Sequence, residues 1–186
     1  MNLNRTFPLL FVISVLVSFS VRAELSIQIT QGIDNPIPIA VVPFSWEGSG
    51  VLDEDIGEIV TADLQQVGEF RALSPSNMLA LPREEREVYY RDWSVLAQDY
   101  LLVGKVQRTP GSELIQVQYE FFDINREIKL AGEVLTGTTS QLRDIGHEIS
   151  NVVFELVTGT PGAFTTQILY IVSEFVSPEV SYFRLR

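Results

Sequence analysis

Residues 37–73 read IPIAVVPFSWEGSGVLDEDIGEIVTADLQQVGEFRAL, and the order of patterns within them decides the fold. Ile37–Phe44 is a near-continuous apolar run, as expected of a strand covered on both faces. Pro38 and Pro43 lack an N–H donor and belong near the strand's ends. Glu47–Gly50 (EGSG) is a loop. Residues 53–68 then change to a helical period, with Ile56, Ile59, Val60, Leu64 and Val67 forming the apolar stripe. Asp55 and Glu58 have capping-box spacing, and Gly68 suits the residue that ends the helix. Phe70–Leu73 is a short strand. The order strand, helix, strand is a crossover unit, which places two parallel strands in one sheet.

Downstream, Ser74–Asp99 is the least regular stretch. SPSNMLALP is rich in turn residues, PREEREVYY is charged and expected to be exposed, and Asp92–Gln98 reads as a short helix with Trp93 and Leu96 inward. Three strands follow, YLLVGKVQR (100–108), LIQVQYEFFD (114–123) and EIKLAGEVLT (127–136). Pro110-Gly111 makes the first turn and Asp123–Arg126 the second, so the three form a meander. Ser140–Val157 is a second long helix with Leu142, Ile145, Ile149, Val152, Val153 and Leu156 on one side, and Gly159 stops it. The expected fold is a two-layer α/β domain, a mixed sheet of about five strands with two long helices.

The first residues carry an export signal. Arg5 is the basic n-region, Leu9–Val17 the apolar core, and Val21-Arg22-Ala23 the cleavage site, so residues 1–23 are removed and Glu24 begins the mature chain. The apolar core is too short to span a bilayer comfortably. Without cysteine in the chain, no lipid-modified N-terminus, disulfide framework or thiolate metal site is available. The net charge is −11, and processing makes it more negative because Arg5 and Arg22 leave with the signal. Such a chain repels phosphate backbones, which argues against nucleic acid as a partner. After the cleavage site, Glu24–Thr30 (ELSIQIT) alternates strictly, the period of a half-buried or edge strand. Its apolar Leu25, Ile27 and Ile29 either pair within their own domain or add to the sheet edge of a partner.

Little in the chain points to catalysis. His147 is the only histidine. It shares the side of its helix opposite the apolar stripe with Arg143, Ser150 and Phe154, and G-x-S-x-G and H-E-x-x-H are both absent. The EGSG loop lacks a Walker lysine, and Asp53, Glu54 and Asp55 would repel a phosphate at the helix start. Those acids also lack the calcium-loop pattern and are accounted for by helix capping, so neither a metal nor another cofactor is expected. Phe154 on an otherwise polar face is open to two readings. It is either a lone exposed or half-covered aromatic or, with Arg143 and His147, part of an interface to another domain.

The signal, ELSIQITQGIDNPIPIAVVPF with Trp46 close behind, DEDIGEIVTADLQQVGEFRAL, LVGKV and LRDIGHEISNVVFELVTGTPGAF together resemble the TolB family of the Tol-Pal system. The resemblance is strongest over residues 24–67 and 142–172 and weakest over 75–95. It implies a periplasmic adaptor, not an enzyme, in a system that maintains outer-membrane integrity and its invagination during cell division. By resemblance, residues 24–35 are the epitope for the C-terminal domain of TolA: Glu24, Leu25, Ser26, Ile27, Gln28, Ile29, Thr30, Gln31, Gly32 and Ile33, with Asp34 and Asn35 at its end.

In the family the α/β domain, here 24–159, precedes a six-bladed β-propeller that binds the lipoprotein Pal. GTPGAFTTQILYIV and SYFRLR look like the link and first propeller strands, so residues 160–186 read as a linker and stump. A four-stranded blade needs roughly 40–45 residues, more than this segment holds. Pal binding is therefore expected to be lost, and residues beyond about Gly162 to be mobile, aggregation-prone or proteolysed. The alternatives are a truncated, non-functional remnant or incomplete sequence of the same family and, more remotely, a small periplasmic hydrolase.

Overall fold

The computed structural model describes residues 35–166 in full and residues 171–177 and 180–185 as backbone strands. The signal segment and Glu24–Ile33, and Gln167–Tyr170 of the expected first propeller strand, lie outside the described residues.

The crossover unit forms as the sequence indicates. Strand β1 (Ile37–Val41) leads through β2 (Ser45–Glu47) to helix α1 (Ile56–Gln66) and strand β3 (Phe70–Ala72). A short helix α2 (Tyr90–Val95) precedes β4 (Tyr100–Arg108), β5 (Ile115–Asp123) and β6 (Ile128–Gly137), and the long helix α3 (Leu142–Thr158) follows. The strands form an open six-stranded sheet ordered β3-β1-β4-β5-β6, with β2 also paired to β4. Pairings among β3, β1, β4 and β2 are parallel, and those of β4, β5 and β6 are antiparallel. This mixed α/β sheet is the expected fold class, with one strand more than expected. A separate antiparallel pair, β7 (Ile171–Ser177) and β8 (Val180–Leu185), follows.

The additional strand comes from a break inside IPIAVVPF. β1 pairs with Tyr100–Leu102 and β2 with Lys105–Gln107, so both run along the same edge of β4. Val42 still donates to the Leu102 carbonyl at 2.9 Å, but Pro43 has no proton to give and the ladder lapses until Ser45. Phe44 turns inward across the gap, and Gly104 of β4 makes room for it. A Cβ at that glycine would lie 2.2 Å from the Phe44 ring and 2.7 Å from the Gln118 carbonyl oxygen.

Helices α1 and α3 lie side by side on one face of the sheet. Asp55 caps α1 by accepting the Glu58 N–H at 3.2 Å, and Gly68 and Gly159 stop α1 and α3 at φ +77° and +73°, where a side chain would be strained. Ile39 and Val41 of β1 point toward the helices and join a core with Val60, Leu64, Phe121, Ile149 and Val153. Ala40 and Val42 point the other way, into a second core with Trp93, Leu101, Val103 and Phe122. Both faces are thus buried, as the apolar run requires, but the second is covered by the segment read as irregular.

The stretch PREEREVYY is charged and, at Arg83, Glu85, Arg86 and Tyr89, exposed as expected, but it is not free of the sheet. Pro82 is buried, and residues 83–87 run across the second face bonded to one strand after another. Arg83 pairs with Glu47 of β2 at 3.4 Å and Glu84 with Lys105 of β4 at 3.2 Å. The Glu85 amide donates to Glu120 of β5 at 2.5 Å, and its carboxylate meets Lys129 of β6 at 2.5 Å. The sign alternation that reads as solvated charge matches the sheet beneath it.

Hydrogen bonds from Lys105 hold the Glu84 carboxyl below its ordinary range, and those from Arg83 do the same for Glu87. Carboxyls lowered on folding add stability above their ordinary pKa, which is lost as pH falls through the folded values. Titration of the two carboxyl carbons by NMR is expected to give midpoints below about 4.3. Midpoints at or above that value would mean that the pairs do not form in solution.

Candidate functional site

The residues singled out on α3 do not converge. Arg143 pairs with Glu54, just before α1, and is occupied there. His147 and Phe154 lie further along and line a groove of about 620 Å³ between α1, α3 and the segment 160–166.

The side of α3 read as polar and outward is largely an interface with α1, and this is a correction. Ser150 is fully buried. Gly146 and Ser150, one turn apart, form a ridge of small residues that admits α1 closely, and a Cβ on Gly146 would lie 2.7 Å from Ile59 Cγ2. The apolar stripes shift accordingly. Val67 and Leu156, both assigned inward, are 41% and 45% exposed, and Val67 lines the groove. Asp63, which sequence reading passed over, is buried in the seam. Its Oδ2 accepts from the Ser150 hydroxyl at 2.7 Å and lies 2.7 Å from His147 Nδ1. The signal was present in an acid at a core-facing position of α1, one turn before Val67.

These three residue types invite comparison with a hydrolytic triad, but the connectivity differs. A nucleophilic serine must bond to the imidazole, with the acid behind it. Here serine and histidine meet on the same carboxylate oxygen, and the serine is sealed from solvent. The cluster satisfies a buried carboxylate and fixes the ring of His147 at the groove.

Phe154 is a half-covered aromatic rather than a fully exposed one. It is half-buried, with Phe70 at 6.1 Å and an edge-on Phe164 at 5.7 Å between ring centroids. Asn151 accepts the Phe164 N–H at 3.0 Å, which pins the segment after Gly159 back onto α3. Residues 160–166 therefore pack as part of the domain.

Of the acids before α1, Asp55 is the cap and Glu54 pairs with Arg143 of α3. The EGSG loop wraps Trp46, whose Nε1 donates to the Gly50 carbonyl at 3.1 Å, while the Arg108 guanidinium sits 5.8 Å from its ring centre. This loop is closed around an indole and is not shaped to cradle a phosphate. Among the described residues no His/Cys/Asp/Glu cluster has the geometry of a metal site.

These features define a small mixed-sheet α/β domain with an open groove beside its long helices. The family profile described as TolB amino-terminal domain matches residues 25–130, and the chain belongs to that family. Among curated relatives, the Tol-Pal system protein TolB of Hahella chejuensis is 41% identical over 164 residues, covering 88% of this chain and 38% of the relative. The protein of the same name from Alcanivorax borkumensis is 46% identical over 154 residues, with 82% and 34% covered. The crystal structure of TolB from Acinetobacter baumannii superposes with a TM-score of 0.66 at 27% identity, covering 82% of this chain and 36% of that one. The chain thus spans well under half the length of the relatives it matches.

Proposed function

We propose that this chain is a non-enzymatic periplasmic adaptor of the Tol-Pal system, acting through protein–protein contacts. The observation that carries the reading is the family match, which begins at Leu25, inside the alternating segment that follows the signal. In this reading Glu24–Ile33 is recognised by the C-terminal domain of TolA, by strand addition. The partner's sheet edge would meet the segment's backbone, and Leu25, Ile27 and Ile29 would set specificity. The connectivity of Asp63, His147 and Ser150 favours an adaptor over a hydrolase. The groove beside His147 and Phe154 is the surface we assign to a neighbouring domain, with Arg143 outside it. The family's Pal-binding surface belongs to the propeller, and no residue described here is assigned to it.

Calorimetric titration of residues 24–186 with the C-terminal domain of TolA, repeated after deletion of Glu24–Gly32, tests the proposal. Binding by the intact form that disappears on deletion is expected. Binding that survives the deletion would move the epitope elsewhere, and no binding by either form would sink the TolA assignment. Titration with Pal is expected to show no binding, and normal affinity there would overturn the assignment of that surface to the propeller.

A further inference from the structure

The segment Arg83–Glu87 crosses the sheet from β2 to β6, yet no main-chain hydrogen bond joins it to any strand among the described residues. Its backbone–backbone bonds are local turns, from Glu87 to Glu84 and from Val88 to Glu85. Every polar contact to the sheet runs through a side chain, by way of Glu47, Lys105, Glu120 and Lys129. Apolar anchors bracket the segment, with Pro82 buried at one end and Val88 packed against the second core at the other. The carboxylates lie over the lysines, and Lys129 also reaches Glu120 at 3.5 Å.

We propose that Arg83–Glu87 is a salt-gated strap, closed over the second face of the sheet at low ionic strength and released as a unit when its ion pairs are screened. The anchors keep the ends in place, so opening is a local bulge that leaves the domain folded. It uncovers the ammonium groups of Lys105 and Lys129 on the sheet. Pairs near the surface weaken with salt, whereas the main-chain ladders of the strands below do not.

The rest of the molecule should respond with the opposite sign. The chain carries a net charge of −11, and its self-repulsion is relieved by the same ions. Salt is therefore expected to loosen the strap while leaving the remainder of the domain unchanged or more protected. A general loss of stability would not separate the two regions in this way.

Amide hydrogen exchange on the signal-free chain, from about 0.01 M to about 1 M sodium chloride, reads this directly, because the screening length falls from about 30 Å to about 3 Å over that range. The reporters are the amides of Arg83, Glu85, Glu87 and Val88, each of which donates a hydrogen bond in the closed strap. They are expected to exchange about tenfold faster at high salt, with β4 and β5 unchanged or slower. Glu84→Gln, which removes the Lys105 pair, should reproduce part of the acceleration at low salt and blunt the further response. Strap amides that are insensitive to salt, or that follow β4 and β5, would overturn the proposal, as would a Glu84→Gln variant that behaves as the parent.

Discussion

Gly104→Val is expected to lower the urea midpoint of the domain sharply, with a loss of about 3 kcal/mol or more. The position has no free space on its inner side. A Cβ there would meet the Phe44 ring at 2.2 Å and the Gln118 carbonyl oxygen at 2.7 Å. The ring is itself confined, at 7% exposure, where β1 gives way to β2. The carbonyl belongs to the β5 main chain and cannot withdraw without disturbing a ladder that pairs residue for residue with β4. Phe44→Ala in the same chain should recover part of the loss, so the double variant should be more stable than the two single losses added together. Strict additivity would mean that the ring is not the obstacle, and a Gly104→Val chain with the parent's midpoint would remove the clash altogether.

Trp93→Ala should cost about 3–5 kcal/mol by the same measurement. Trp93 is the largest fully buried side chain, 1% exposed, and is central to the second core. Its helix α2 spans only six residues, too few to hold itself together without packing. The chain leaves the helix through Ala97 at φ 53°, a conformation that an alanine keeps only under tertiary constraint. Far-UV circular dichroism is the suitable probe, because the chain's other tryptophan would confuse a fluorescence reading. Val95→Ala in the same helix is the control. With Val95 72% exposed, it should fall within about 0.5 kcal/mol of the parent. Equal costs for the two variants would show that α2 does not seal that face.

Much of this architecture was legible in the sequence, and the gaps have physical causes. IPIAVVPF announced a strand buried on both sides, and the stops at Gly68 and Gly159 held because only a glycine is at ease at those φ values. What periodicity could not convey was where one helix touches another. Gly146 and Ser150 score as weak or polar on a helical wheel, yet their small size is what brings α1 close. Asp63 was passed over because an acid in an apolar stripe looks like an error in the pattern until its partners on α3 are known. At residues 83–87 the exposure was legible and the pairing was not, for a different reason. Their partners are spread over four strands, from Glu47 to Lys129, and a pattern read along the chain has no access to pairings across it. The segment proposed to bind a partner rested on alternation and resemblance throughout, and its first ten residues lie outside the described structure.

Strand β4 belongs to both halves of the sheet, and this sets an order of assembly. Its pairing with β5, and that of β5 with β6, close across short turns, so little chain entropy is lost in forming the meander. Ile39 must find Tyr100 with two helices, two strands and the whole strap segment in between. Closing that long loop is rewarded only if Tyr100–Gln107 is already extended, with its free edge turned toward β1 and β2. The later half of the chain thus serves as the template on which the earlier half settles, and a nascent chain emerging N-terminus first can pair β1 with β3 but holds the other edge of β1 open until β4 has been made.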